Sequence, residues 1–186
     1  MIKEELRKTL LTKLASLSDE QIISLSFSLT QELILLFKHL PHLQSQIGAA
    51  YLPLRNEVAP VYQELLRSVP LILSYPVLRE GKMAFGMAEG LPSGSPWLTP
   101  PYKVVEPGWC LVPGVSFSLN GGQRLGRGKG YYDRFFEGKT GTKIGLAWSG
   151  QLKENIPVES HDCHMDFIVT ENFCWDVKQQ KHIKGK

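Results

Sequence analysis

The order of hydrophobic and polar positions along the chain predicts four helices. Leucines at four-residue intervals near the start indicate an amphipathic helix. Ser18 with Gln21 three residues later has the pattern of a capping box, which begins a second helix that Pro41 ends. Pro60 is tolerated in the first turn of a third helix, and Gly138 closes a short fourth one. The predicted helices cover residues 2–17, 18–40, 58–69 and 131–138.

Short apolar runs between these helices predict buried strands. Several of the runs show no polar alternation, which is typical of a parallel sheet covered on both faces. The last residues of the chain are polar and are expected to fray. Strands that alternate with helices favour one α/β domain over residues 1–186 with a mostly parallel sheet. The predicted strands cover residues 47–54, 70–78, 82–88, 109–117, 143–149 and 166–170.

A proline-rich segment interrupts this alternation. Residues 91–108 hold five prolines, which argues against a regular helix or strand there. The segment is long for a connection in a small domain. We therefore expect a loop that crosses a sheet edge or covers a functional site.

Composition narrows the class of protein. The formal net charge of +3 is too small to indicate a dedicated nucleic-acid binder, and no apolar run is long enough to span a bilayer. The N-terminal segment is charged, unlike a signal peptide. Three widely spaced cysteines without a C-x-x-C pair indicate free thiols in a reducing compartment. We expect a cytoplasmic protein.

The segment "LNGGQRLGRGKGYYDRFF" at residues 119–136 is the strongest candidate for chemistry. A Walker A loop is excluded because Gln123 stands where its first glycine belongs, and because Gly130 follows Lys129 in place of Ser or Thr. A dinucleotide fingerprint is excluded because Tyr131 occupies its third glycine position. A flexible surface loop remains an alternative from composition alone.

The physical basis of those motifs still applies to this loop. Alternating glycines let the backbone adopt positive φ and direct N–H groups towards an anion. Neighbouring cations add charge, and a helix begins directly after the loop. A polyphosphate site is therefore the leading interpretation. The glycines are Gly126, Gly128 and Gly130, and the cations are Arg124, Arg127 and Lys129.

Three residues follow the loop in the first turn of the predicted helix. Asp133 either interacts with the helix dipole or serves as a Mg²⁺ ligand beside a polyphosphate. Tyr131 and Tyr132 are ordinary core anchors in most helices, but at this place one of them can stack on a flat ring of a ligand.

At this level of detail the segment "VPGVSF…NGGQRLGRGKGYYDRFF" resembles the signature of the 5-formyltetrahydrofolate cyclo-ligase family, P-G-x-x-F-[DS]-x-x-G-x-R-L-G-x-G-x-G-Y-Y-D. "KEELR", "AAYLPLRNEV" and "PVESHDCHMDFIVT" resemble further segments of that family. The resemblance covers essentially the whole chain and is weakest over residues 84–106.

The resemblance implies a single three-layer α/β domain of the CoA-transferase-like kind, with N-terminal helices. It implies the conversion of 5-formyltetrahydrofolate to 5,10-methenyltetrahydrofolate, which consumes ATP with Mg²⁺ and releases ADP and phosphate. In that reaction the formyl oxygen takes the γ-phosphoryl group and N10 then closes the ring. Such chemistry depends on positioning and charge neutralisation and needs no side-chain nucleophile.

The resemblance also assigns roles by position in this chain. Asp133 and Asp162 correspond to the Mg²⁺ ligands, and Arg127, Lys129 and Tyr131 to the catalytic group. Folate contacts fall on Leu52, Glu57, Trp97 and residues Arg127, Gly128, Lys129, Gly130 and Tyr131. ATP contacts fall on Lys3, Arg7, Arg124, Leu125, Gly126, Arg127, Gly128, Lys129, Gly130, Tyr131 and Tyr132. The expected partner is a folate, with or without a polyglutamate tail, bound by a monomer without nucleic acid or membrane.

From the sequence alone, some departures from the family pattern and two alternative functions stay open. Ser118 stands where many family members carry an acidic residue, and the "WLTPP" segment lacks a Glu-Pro pair. His161, Cys163 and His164 suggest a zinc site, although their spacing fits no common pattern. A module that binds single-stranded nucleic acid through the loop is the main rival, since tyrosines can stack bases and cations can follow phosphates. A binding protein that has lost the activity is the second rival.

Overall fold

Four α-helices and eleven β-strands make up the part of the chain that the computed structural model describes, namely residues 3–54, 57–87, 95–157, 159 and 162–184. The helices are α1 (Lys3–Ala15), α2 (Asp19–His39), α3 (Tyr62–Ser68) and α4 (Tyr131–Phe136). The strands are β1 (Ile47–Ala49), β2 (Ile72–Arg79), β3 (Lys82–Met87), β4 (Lys103–Val105), β5 (Trp109–Pro113), β6 (Ser116–Phe117), β7 (Arg124–Leu125), β8 (Thr142–Leu146), β9 (Phe167–Val169), β10 (Cys174–Asp176) and β11 (Lys181–Ile183).

Nine strands form one sheet in the order β11-β10-β9-β8-β5-β1-β2-β3-β4. The five central strands, from β9 to β2, run parallel. Antiparallel strands extend both edges, with β3 and β4 on one side and β10 and β11 on the other. The short strands β6 and β7 pair with each other outside this sheet. The predicted α/β fold with a parallel centre is confirmed.

Both faces of the sheet are covered, as the side chains of β5 show. The Trp109 indole packs against Phe37 of α2, with ring centroids 4.7 Å apart. The next side chain, Cys110, lies on the opposite face in the cluster that contains Phe135 of α4. A β-carbon on Gly48 of the neighbouring strand would collide with the indole, so this position requires glycine. The apolar runs without polar alternation follow from this three-layer arrangement.

Helix α1 packs away from the large sheet. Its buried residues Leu6 and Leu10 form a small cluster with Val115, Leu125 and Ile156, which lie around the β6–β7 pair. The helix therefore rests beside the glycine-rich segment that follows β7. This placement directs other residues of α1 towards the loop.

The helix predictions are confirmed with one correction. The capping box at Ser18 is present, and α2 ends before Pro41 as expected. Pro60, predicted in the first turn of a helix, precedes α3. The hydroxyls of Ser26 and Thr30 on α2 accept hydrogen bonds from the backbone N–H groups on either side of Pro60 and hold that segment extended. None of the helices within the described ranges is both long and apolar enough to cross a bilayer.

Four of the other predictions need correction. The strand predicted at residues 109–117 divides after Pro113, because residues 109–113 form β5 in the large sheet and residues 116–117 form β6, which pairs with β7. The first predicted strand, residues 47–54, leaves the sheet after Ala49, and its remainder lines the cavity described below. Residues 103–105 of the predicted loop form the edge strand β4, because β3 offers them an unpaired edge. The end of the chain forms β10 and β11 instead of fraying, since Cys174 and Ile183 are buried in the main core. Residues 88 and 91–94 of the predicted elements lie outside the described ranges.

Candidate active site

A cavity of about 540 Å³ lies beyond the carboxyl ends of β1 and β5. In open α/β sheets this edge is where ligands bind. All of the site residues indicated by the sequence line this cavity: Lys3, Arg7, Leu52, Glu57, Trp97, Arg124, Leu125, Gly126, Arg127, Gly128, Lys129, Gly130, Tyr131, Tyr132, Asp133 and Asp162. Residues that lie as far apart in sequence as Lys3 and Asp162 therefore meet in one place.

The glycine-rich loop forms one wall of the cavity. Gly128 has φ +90° and Gly130 has φ +62°, conformations that side chains with a β-carbon rarely adopt. Gly126 does not have positive φ, but its carbonyl accepts a hydrogen bond of 2.9 Å from Nε of Arg7. The loop is therefore fixed from two sides, by its own glycines and by helix α1.

Arg124 is a buried anchor at the base of the loop. Its side chain is 5% exposed, and its Nη2 atom donates to both oxygens of Asp133, at 3.0 and 3.1 Å. Its Nη1 atom donates to the carbonyl of Pro113 at the end of β5. These bonds join β5, β7 and the first turn of α4.

The Asp133 carboxylate accepts further hydrogen bonds from Cys163. The backbone N–H and the thiol of Cys163 lie 3.4 and 3.3 Å from its Oδ1 atom. Burial by itself raises the pKa of Asp133, but the Arg124 charge and these hydrogen bonds together lower the pKa below its usual value. Asp133 is therefore held as a carboxylate.

Lys3 pairs with two carboxylates that also line the cavity. Its ammonium lies 2.6 Å from Oδ2 of Asp162 and 3.1 Å from Oε1 of Glu159. The backbone N–H of Glu159 donates to the same Asp162 oxygen, at 2.7 Å. Burial lowers the pKa of Lys3, but the two carboxylates outweigh it and raise the pKa above its usual value.

Arg127 and Glu57 form the third ion pair of the cavity. Nε of Arg127 donates to Oε1 of Glu57 at 2.7 Å. The second carboxylate oxygen, Oε2, accepts a hydrogen bond of 2.8 Å from the backbone N–H of Leu54. The Glu57 side chain is 10% exposed and the Arg127 side chain 35% exposed. The pair thus links the loop to the segment that follows β1.

Lys129 differs from these cations. No carboxylate of the described residues lies within 4 Å of its ammonium, which is exposed at the cavity. Its backbone carbonyl accepts a hydrogen bond from Nη2 of Arg134, which holds the end of the loop against α4. The Lys129 charge is therefore available to an anion.

Aromatic rings complete the cavity. Tyr131 packs edge to face against Trp97, with ring centroids 5.1 Å apart. Tyr132 lies beside the Arg124 guanidinium, 5.4 Å from its ring centroid, and burial raises the pKa of its hydroxyl well above the usual value. Trp97 comes from the proline-rich segment, which was predicted to cover a site. Both tyrosines line the cavity, so their positions alone do not show which of them stacks on a ligand.

Ser118 occupies a structural position. Its side chain is fully buried, and its hydroxyl donates to the carbonyl of Glu154 at 2.7 Å. The same hydroxyl accepts a hydrogen bond from the backbone N–H of Asn120 in the turn between β6 and β7. Ser118 does not line the cavity. The presence of serine in place of an acidic residue therefore affects the turn and leaves the cavity wall unchanged.

The cysteines offer neither a nucleophile nor a metal site. Burial raises the pKa of all three thiols, that of Cys163 to about 11. Within the described ranges no group of three His, Cys, Asp or Glu side chains could hold a metal ion. His164 contacts the carbonyl of Gly121, and His161 of the zinc alternative lies outside the described residues.

Eight further residues line the cavity that the sequence pattern did not indicate. Most of them are apolar residues or glycine, and these residue types do not indicate a functional site in a sequence. Glu159 is charged and lies in the "PVESHD" segment, so the sequence could have indicated it, but its contact with Lys3 forms only on folding. The eight are Tyr51, Leu54, Pro76, Met83, Pro96, Pro113, Gly114 and Glu159.

One known protein family matches most of this chain. The model of the 5-formyltetrahydrofolate cyclo-ligase family matches residues 1–171. The chain belongs to the 5-formyltetrahydrofolate cyclo-ligase family. A 5-formyltetrahydrofolate cyclo-ligase of Mycoplasma pneumoniae is 30% identical over 92% of this chain and 99% of its own length. The yeast cyclo-ligase is 46% identical, but the match spans only 32% of this chain and 31% of the yeast protein.

Solved structures from the family share the fold. A 5,10-methenyltetrahydrofolate synthetase of Mycoplasma pneumoniae superposes with a TM-score of 0.77 at 28% identity, covering 92% of this chain and 99% of that one. The synthetase of Aquifex aeolicus gives a TM-score of 0.76 at 31% identity, over 99% and 97% of the two chains. The resemblance found in the sequence is confirmed at the level of family and fold.

Proposed function

We propose that this chain converts 5-formyltetrahydrofolate to 5,10-methenyltetrahydrofolate, with ATP consumed and ADP and phosphate released. The observation that carries the proposal is that the cationic glycine-rich loop and the carboxylate of Glu57 face the same cavity. A polyphosphate and a pterin can therefore meet there. The family relatives named for this reaction support the same conclusion.

The residues around the loop suit the phosphates of ATP. The exposed ammonium of Lys129 provides a charge that no described carboxylate neutralises. The guanidinium of Arg7 lies 3.6 Å from the position of a β-carbon on Gly128, so this cation stands within van der Waals reach of the loop. Lys3 lies at the same cavity and is the third candidate for phosphate contact.

The residues around Glu57 suit the folate. Glu57 lines the cavity together with Leu52 and Leu54 of the same segment, and its carboxylate can accept two parallel hydrogen bonds from a pterin edge. Leu52 adds an apolar wall, and Trp97 with Tyr131 adds aromatic faces. This mixture of apolar walls with a few polar groups is typical of small-molecule sites.

Magnesium is implied by the family, and the carboxylates of the cavity fit it in part. Mg²⁺ with a bound polyphosphate needs only one or two protein carboxylates. Asp162 fits well because its Oδ1 atom accepts no bond from any described residue. Asp133 has both oxygens engaged by Arg124 and is the second candidate, with its orientation fixed by that pair. A bound Mg²⁺ would neutralise charge on the phosphate oxygens.

The protein's part in the reaction is to position its substrates and to neutralise charge. ATP supplies the phosphoryl group that turns the formyl oxygen into a leaving group. Lys129 and Arg127 stabilise the charge that develops on phosphate oxygens, and Tyr131 with Trp97 excludes water beside the formyl group. Cys163, which contacts Asp133, is a poor nucleophile because burial raises the pKa of its thiol to about 11.

The geometry favours this function over a nucleic-acid module. A single-strand binder presents its cations and stacking rings along an open groove. Here Tyr131 packs its ring against Trp97, and Arg124 and Arg127 are each held by a carboxylate inside the cavity. We propose a monomer that acts in the cytoplasm, where its three free thiols would stay reduced.

The decisive experiment is a direct assay. Purified protein with 5-formyltetrahydrofolate, ATP and Mg²⁺ is expected to form methenyltetrahydrofolate, followed by its absorbance, and one ADP for each product molecule. Omission of ATP or addition of a chelator is expected to abolish the signal. Folded protein that forms no product under these conditions would overturn the proposal.

Glu57→Gln is expected to weaken folate affinity by roughly tenfold or more, because the charge-assisted hydrogen bonds to the pterin are lost. The affinity for ATP is not expected to fall, because Glu57 itself contacts no phosphate and its loss frees Arg127. Glu106→Gln, which removes an exposed carboxylate paired with Lys139 outside the cavity, is the matched control. Equal losses of affinity for both substrates would argue against a pterin contact.

A further inference from the structure

The Arg127–Glu57 ion pair joins the two subsites of the cavity. Arg127 belongs to the loop that faces the phosphates, and Glu57 belongs to the segment that faces the pterin. The two side chains meet at 2.7 Å although they lie 70 residues apart. Each of the two side chains is therefore engaged by the other in this structure.

We propose that this pair couples the two substrates, so that the phosphates of ATP draw Arg127 away from Glu57 and leave Glu57 free for the pterin of the folate. The inference rests on the proposed function and deepens it. Each substrate then raises the affinity for the other, because a coupling free energy between two sites is reciprocal.

The hydrogen bonds of Glu57 explain why the pair and the pterin compete. Oε1 accepts from Arg127, and Oε2 accepts from the backbone N–H of Leu54. A pterin edge that donates two parallel bonds needs both oxygens on one side of the carboxylate. The Arg127 guanidinium occupies one of them. The Glu57 side chain is 10% exposed, so the pterin and the Arg127 guanidinium approach the carboxylate from the same cavity.

The surroundings of Arg127 explain why phosphates can displace the pair. Its side chain is about one-third exposed, so it can move without disturbing the core. Gly128 follows it with φ +90°, and Lys129 beyond it carries a charge unpaired among the described residues. A polyphosphate attracted to Lys129 offers Arg127 a more highly charged acceptor than one carboxylate.

Arg124 and Lys139 differ from Arg127 in exposure or in position. Arg124 is nearly buried and bonded to both Asp133 oxygens and to Pro113, so it cannot leave its carboxylate easily. Lys139 pairs with Glu106 outside the cavity and faces neither substrate. Only the Arg127 pair, among these three, is both accessible and placed between the subsites.

The test measures the dissociation constant of 5-formyltetrahydrofolate by calorimetry, without nucleotide and with a saturating non-hydrolysable ATP analogue and Mg²⁺. The wild-type protein is expected to bind the folate about tenfold more tightly when the analogue is present, within the usual range of coupling between sites. The reciprocal titration of the analogue is expected to show the same factor.

Arg127→Ala is expected to reduce that factor to below about twofold, and its folate affinity without nucleotide is expected to equal or exceed that of the wild type. Lys139→Ala serves as the matched control and is expected to keep the full factor. A wild-type factor near one would overturn the inference, and so would an Arg127→Ala variant that keeps the wild-type factor.

Turnover measured on the same wild-type sample separates the two proposals. If product forms and the two substrates bind independently, the coupling is wrong and the proposed function stands. If no product forms and no folate binds under either condition, the proposed function is wrong and the coupling with it. Circular dichroism of both variants shows whether they are folded.

Discussion

Lys129→Ala is expected to lower kcat by roughly 10²- to 10³-fold, the range found when one preorganised donor to a developing negative charge is removed. Lys129 is exposed at the cavity, and no described carboxylate lies within 4 Å of its ammonium, so its charge is available to the phosphates. Folate binding is expected to remain measurable, because the pterin residues lie elsewhere in the cavity. Initial rates at saturating substrates and a separate folate titration provide the measurement.

The control for this variant is Lys139→Ala, which removes another exposed ammonium that follows α4 and lies outside the cavity. Its kcat is expected to stay within about twofold of the wild type. A Lys129→Ala variant with the same near-normal kcat would show that the lysine is an ordinary solvated residue. The phosphate role of the loop would then be wrong.

Arg124→Met is expected to destabilise the protein by about 3 kcal/mol, because it leaves the largely buried Asp133 carboxylate without its charged partner. The variant also loses the bond from Arg124 to the Pro113 carbonyl, which connects β5 to the loop. Unfolding in urea, followed by circular dichroism, gives the change in the free energy of unfolding.

A double variant, Arg124→Met with Asp133→Leu, is expected to recover part of that loss, because it leaves neither charge buried alone. A single variant that costs less than about 1 kcal/mol would show that Arg124 is not an anchor. In that case its guanidinium would be free to serve as the phosphate ligand that the sequence resemblance implies.

Several elements could be predicted because their signals are local. The capping box at Ser18 and the proline after α2 bound a long helix, and both act through neighbouring residues. The short helix α4 follows a loop whose glycines at 128 and 130 require positive φ. Such features depend on a few adjacent residues, so they can be identified before any tertiary contact is known.

Other elements could not be predicted because they depend on partners distant in sequence. Strand β4 forms in a proline-rich segment because β3 provides an edge, and β10 and β11 form because β9 does. Pro60 precedes α3 because hydroxyls on α2 hold its neighbours extended. Nothing in the local pattern indicates these contacts.

By itself, the sequence determined the family, the α/β class and most of the polar residues that line the cavity, because the signature segments retain the residue types that the chemistry requires. Only the tertiary structure decided how those residues are paired. Arg124 meets Asp133, Lys3 meets Asp162 and Arg127 meets Glu57 across 9, 159 and 70 positions of the chain. Pairing depends on distances of a few ångströms, which the fold sets when it brings β1, β5, β7 and two helices to one edge of the sheet.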